Sequence, residues 1–88
     1  MRKEDLPDLL YNIIKKLGGS AIMMEVFREF WNEYDIELQK SGDLFYTWNY
    51  DIRWAATELR KQGRMKPAGT KENPRGLNES PKGLWEII

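Results

Sequence analysis

The chain contains no cysteine and no histidine. The first absence removes disulfides and thiolate metal sites as sources of stability. The second removes the side chain most used as a general base or as a neutral metal ligand. Proline is scarce, with four in 88 residues, and three of the four fall between Pro67 and Gly83. No apolar run approaches the roughly 18 residues of a membrane span, and the N-terminus carries no apolar leader. There is no glycine-rich phosphate cradle, no metal-ligand cluster and no Asp…Glu-x-Lys nuclease trio. The expectation is a single soluble domain over residues 1–88, cytoplasmic, not an enzyme, with no catalytic residue, metal or cofactor and no membrane association.

Net charge is absent as well, since 14 Lys and Arg balance 14 Asp and Glu. The two halves nevertheless differ in sign. Residues 1–46 hold six cationic against nine acidic side chains, and residues 47–88 hold eight against five. A neutral chain with that asymmetry can still present one positive surface.

What the chain has in quantity is aromatic side chains: four Trp, four Tyr and three Phe. A small domain without covalent staples needs them inside. Trp31, Trp48, Trp54 and Trp85 therefore read as core rather than as a base-stacking platform, with Trp54 at the border of a polar face and placed to cover the base of a hairpin.

Hydrophobic periodicity predicts a first helix from about Leu6 to Leu17, on Leu6, Leu9, Leu10, Ile13, Ile14 and Leu17. Asp5 is its expected cap, and Gly18-Gly19 its stop. Ser20–Ile22 is a connector or one small strand. A second helix follows from about Met23 to Tyr34 on Met23, Val26, Phe27, Phe30, Trp31 and Tyr34, with Glu25, Glu29 and Glu33 outside. Residues 35–47 leave three options open: a continued helix, a hairpin or a loop. A third helix is expected from Asn49, a good N-cap residue, to Gly63. Arg64–Ala68 reads as a short strand, Pro67–Gly83 as a loop, and Leu84–Ile88 as a closing strand that pairs back across it. This element order is that of an α+β winged helix-turn-helix: three helices with a small C-terminal antiparallel β-hairpin.

The third helix carries the functional signal. Ile52, Ala55, Ala56 and Leu59 fall on one narrow stripe, and Tyr50, Arg53, Thr57, Arg60, Lys61 and Arg64 on the other side. Arg and Lys contact phosphates, Arg also holds guanine bidentately, and Thr and Tyr reach base edges or phosphates. From residue types alone an ordinary solvated face fits better, since charged exposed faces are common, but in this element order the third helix is the one left free to enter a groove. The loop adds Lys66, Lys71, Arg75 and Lys82, suited to backbone contact as a wing. Double-stranded DNA is the expected partner. The alternative is a protein-interaction or dimerisation domain that uses the acidic second helix, with Asp35 and Glu37 beyond it, or makes a homodimer through the first helix.

Two short motifs sharpen this. Ile52-Arg53-Trp54-Ala55…Leu59-Arg60-Lys61-Gln62-Gly63 and Ser80-Pro81-Lys82-Gly83-Leu84-Trp85-Glu86-Ile87 resemble the N-terminal winged-helix domain of Mrr-type restriction proteins. That family's pattern is an R-W-A…L-K-K-x-G helix end and an S-P-R-G-x-W-x-I strand entry. The resemblance implies a DNA-binding winged helix, with Arg53 through Arg64 along the DNA-facing helix and the loop before Lys82 as the wing. In the family this domain precedes a nuclease. No nuclease segment is present in these 88 residues, so cleavage is not carried over from the family.

Overall fold

The structure is a computed structural model that describes residues 1–67 and 83–88. A 3-10 turn (Lys3–Asp5) leads into α1 (Leu6–Lys16), followed by β1 (Ser20–Ile22), α2 (Met23–Gln39), α3 (Leu44–Lys61) and β2 (Leu84–Glu86). The result is a small α+β domain of three α-helices and a two-stranded antiparallel sheet. Among the described residues, no helix is long and apolar enough to cross a membrane.

Both early helices occupy the expected places, and α2 runs five residues further than Tyr34. The ladder Val26, Phe30, Tyr34, Leu38 continues at intervals of four, and Leu38 is fully buried. Tyr34 leaves helical geometry (φ −122°, ψ 17°), a kink inside the element. Ile36, which suggests strand-like alternation with Leu38, faces solvent. A tight turn through Ser41–Asp43 then starts α3 at Leu44, not at Asn49. Here too the ladder decides: Leu44, Trp48, Ile52, Ala56 and Leu59 form one inward stripe, so Asn49 lies inside the helix on its outer side. Asp5 does not cap α1 with its side chain; it accepts a hydrogen bond from the Arg2 backbone N–H at 2.8 Å.

Helices α1 and α3 end in the same way. The Gly19 N–H donates to Ile14 O and the Gly18 N–H to Lys15 O (2.9 and 3.1 Å); Arg64 N–H donates to Leu59 O and Gly63 N–H to Arg60 O (2.8 and 3.1 Å). This paired bonding satisfies the last carbonyls and requires a left-handed residue just past the helix. Gly18 and Gly63 supply it, at φ 99° and 74°.

The sheet differs from the expected C-terminal hairpin. β2 pairs with β1, in the register Ser20↔Glu86, Ala21↔Trp85 and Ile22↔Leu84. The segment after α3 contributes one bridge, Met65↔Ile87, and not a strand. Burial accounts for this: Ala21 and Trp85 face the core as a small–large pair, and Met65 is enclosed beside them. Each of the three segments thus delivers one inward side chain, and the residues on either side of it are less buried.

All three helical stripes converge on one core of Leu6, Leu10, Ile13, Ile14, Val26, Phe30, Leu38, Leu44, Ile52, Ala55, Ala56 and Leu59, closed below by Ala21, Met65 and Trp85. The tryptophans belong to it. Trp85 is buried, Trp31 stacks on Trp48 at 5.9 Å, and Trp48 stacks on Phe30 at 5.8 Å. Trp54 covers no hairpin base: the Lys3 ammonium sits 4.6 Å above its ring, so it packs under the N-terminal segment.

Gly63→Ala tests the helix stop. A Cβ there meets no atom of the described residues within 4 Å, so the expected cost is conformational, about 1–2 kcal/mol for an L-residue in the left-handed region. Thermal unfolding should fall by about 4–8 °C per kcal/mol for a domain of this size; an unchanged midpoint would contradict this account of the stop.

Candidate nucleic-acid interface

α3 is a long helix with only one side committed to the core. Ile52, Ala55, Ala56 and Leu59 are fully enclosed. Tyr46, Asn49, Tyr50, Arg53, Thr57 and Lys61, spaced by three or four residues on the opposite side, are all exposed. That outer side carries no carboxylate over its whole length. The helix's two acids, Asp51 and Glu58, lie to the flank. Asp51 accepts from Thr47 Oγ1 at 2.8 Å and sits 3.8 Å from Lys3 Nζ; Glu58 lies 3.5 Å from Lys61 Nζ.

Arg53 is held in place by its surroundings. Its Nη1 donates to Asn49 O at 3.2 Å, and its guanidinium carbon lies 5.0 Å from the centre of the Phe27 ring on α2. A guanidinium fixed through one N–H and one face keeps its remaining donors pointed outward, so less side-chain freedom is lost on binding. Thr57 Oγ1 donates back to Arg53 O at 3.3 Å, which orients the hydroxyl along the same side.

The other predicted cations do different work. Arg60 is half-buried at the edge of the face; its Nε donates to Lys66 O at 3.1 Å, and burial draws its pKa below the usual arginine value. It thereby ties the end of α3 to the bridge-forming segment. Lys66 Nζ pairs with Glu86 Oε2 at 2.8 Å, beside β2. Arg64 turns away from the face to α1, where Nη1 donates to Asp8 Oδ1 at 2.6 Å and the guanidinium lies 4.6 Å over the Tyr11 ring. Of the predicted contact residues, then, Tyr50, Arg53, Thr57 and Lys61 gather on one face, with Arg60 and Lys66 at its end. Arg64 serves the α1 contact. Lys71, Arg75 and Lys82, the proposed wing cations, lie outside the described residues.

Tyr46 and Asn49 join the face as residues that the sequence reading missed. The signal for them was the i+4 ladder upstream of Asn49, which the strong N-cap character of Asn49 overrode.

A second surface has the opposite sign. Met1, Glu4, Asp5, Asp8, Leu9, Tyr34 and Glu37 line an open groove of about 460 Å³ beside the kink of α2. Tyr34 is pushed above the ordinary tyrosine value by burial and, secondarily, by the charges of Glu33 and Glu37. The carboxylates of α2 are not uniformly free. Lys16 bridges Glu29 at 2.7 Å and Glu33 at 3.1 Å, joining α1 to α2, and those hydrogen bonds raise its own pKa. Among the described residues, no group of three or more Asp and Glu side chains is arranged to hold a metal ion.

Comparison with protein-family models, with curated proteins and with solved structures finds no match to this chain.

Arg64→Ala separates the structural cations from the outward ones. With Arg64 itself partly exposed and Asp8 largely so, the ion pair is screened, and the loss expected from pair and ring contact together is about 1 kcal/mol. Urea unfolding should show that loss while duplex affinity changes less than twofold. A large affinity loss at unchanged stability would put Arg64 on the binding face after all.

Proposed function

We propose that this domain is a winged helix that binds double-stranded DNA, with α3 in the major groove, and that it acts as a binding module and not as an enzyme. The observation that carries the reading is the outer side of α3: four turns of exposed Tyr, Asn, Thr, Arg and Lys without a carboxylate, on a helix whose other side packs into the core. An α-helix fits the major groove of B-form DNA, and a cationic, hydrogen-bonding face is what phosphates and base edges reward.

The element order supports the same reading. A strand between α1 and α2 pairs with the final strand, and a segment after α3 bridges to it, so residues 68–82 connect two chain positions on one small sheet. In a winged helix that connection is the wing, and Lys71, Arg75 and Lys82 supply its positive charge. The motif likeness to the N-terminal domain of Mrr-type restriction proteins, Arg53-Trp54-Ala55 and Ser80-Pro81-Lys82-Gly83, points the same way. The alternative, protein contact through the acidic outer side of α2, has less support: Glu29 and Glu33 already neutralise Lys16 within the domain.

Fluorescence anisotropy on a random-sequence duplex tests the proposal. Affinity should fall steeply with salt, with a log–log slope of about −4 to −5 for roughly five neutralised phosphates. Lys61→Ala should weaken binding about uniformly across sequences and flatten the slope by about 1, whereas Arg53→Ala should weaken binding and relax preference at the base pair it meets. Absent or salt-insensitive binding would overturn the proposal.

A further inference from the structure

The outer side of α3 is not uniform along its length. Its C-terminal half is cationic, with Arg53 and Lys61 on either side of Thr57. The N-terminal half is uncharged and carries Tyr46, Asn49 and Tyr50. The two tyrosines are the most exposed large hydrophobic side chains of the described residues, at 79% and 77%. A single solvent-facing ring requires no explanation. Two on successive turns of one stripe, with an amide between them and a fixed guanidinium one turn on, form a continuous contact surface. Tyrosine is enriched in such surfaces because a rigid ring with a polar tip loses little entropy on binding.

Tyr46 is also pre-set. Its ring meets Phe45 edge-on at 5.0 Å, and Phe45 in turn lies 6.4 Å from Trp31 of the core stack. An exposed ring propped from below by packed aromatics is presented and not merely left in water.

Resting on the DNA reading above, we infer that Tyr46, Asn49 and Tyr50 form an A·T-reading half of the face, so that the domain selects duplexes with adjacent A·T pairs beside the base pair met by Arg53. The chemistry on each side matches. Asparagine reads adenine bidentately through N6 and N7, and an apolar ring surface packs against the C5-methyl of thymine; neither group has such a partner on a G·C pair. Arginine, by contrast, suits the O6 and N7 of guanine. The helix rise places Tyr46 and Tyr50 about 6 Å apart along the axis and Tyr46 and Arg53 about 10 Å apart, close to two and three base-pair steps. The selected element is therefore short: thymines about two pairs apart, with the guanine-reading position about one pair beyond.

The test starts from a random-sequence duplex library enriched on the full chain. The enriched sites are then remade with deoxyuridine for thymidine, which removes only the methyl, or with 7-deazaadenine for adenine, which removes only N7. Enrichment should yield neighbouring A·T pairs. Deoxyuridine should weaken wild-type binding about fourfold per methyl contacted and leave Tyr46→Ala/Tyr50→Ala unaffected, while Tyr46→Phe/Tyr50→Phe stays sensitive because the ring remains. 7-Deazaadenine should cost the wild type about tenfold or more and cost Asn49→Ala nothing further. All three sites are exposed, so the variants should match the wild type in thermal unfolding, and their salt slopes should persist. Salt-dependent duplex binding without A·T bias, or equal probe effects on wild type and variants, would overturn this inference alone. Failure to retain any duplex would overturn it together with the DNA reading.

Discussion

Two consecutive alanines, Ala55 and Ala56, sit fully enclosed at the centre of α3, where it packs against α1 and α2. Helix axes approach one another only as closely as the side chains between them permit. Alanine brings α3 close, with Ile52 and Leu59 filling the space on either side. The consequence reaches the opposite surface. Once that stripe is fixed inward, the helical period leaves no freedom in which residues face out, and Tyr46, Asn49, Tyr50, Arg53, Thr57 and Lys61 are presented together. The candidate interface is thus a by-product of core packing, set by the positions of two methyl groups.

The same packing explains why cations of equal formal charge have unequal roles. Arg53 and Lys61 lie on the free side, and Arg53 is steadied by Phe27, with no ion pair to a carboxylate among the described residues. Arg60 and Arg64 stand where α3 ends and the chain turns back towards α1, and there the nearest acceptors are Lys66 O and Asp8. Arg64 completes a small network, since its ring partner Tyr11 lies within 3.5 Å of Ile88 O. Such contacts brace the end of the helix against the final strand. A count of positive residues cannot tell bracing from presenting; the packing around the end of α3 can.

Much of this was legible in the residues. The inward stripes of all three helices, the glycine stops at Gly18-Gly19 and Gly63, the order of the helices and the polarity of α3 follow from periodicity and cap chemistry alone. The failures are equally physical. Asn49 has the side chain of a good cap, but Leu44 and Trp48 extend the inward ladder upstream of it, and burial of that ladder outweighs a capping preference of about 1 kcal/mol. Ile36 and Leu38 mimic a strand, although only Leu38 continues the ladder, which a kink at Tyr34 accommodates. The partner of the last strand is hidden in the sequence because Ser20–Ile22 is too short to announce itself, while proximity along the chain favours residues 64–68. Arg64 was placed on the outer face because its partner Asp8 is 56 residues away, and no local pattern records that contact.

The account rests on α3 meeting its ligand with the side turned away from Ala55 and Ala56, and backbone amide shift mapping reads this most directly. Titration of the labelled chain with a short duplex should move the amides of residues 46, 49, 50, 53, 57 and 61 as one group, while the groove around Glu4, Asp8 and Glu37 stays still. Shifts centred on that acidic groove, or none along α3, would contradict the account.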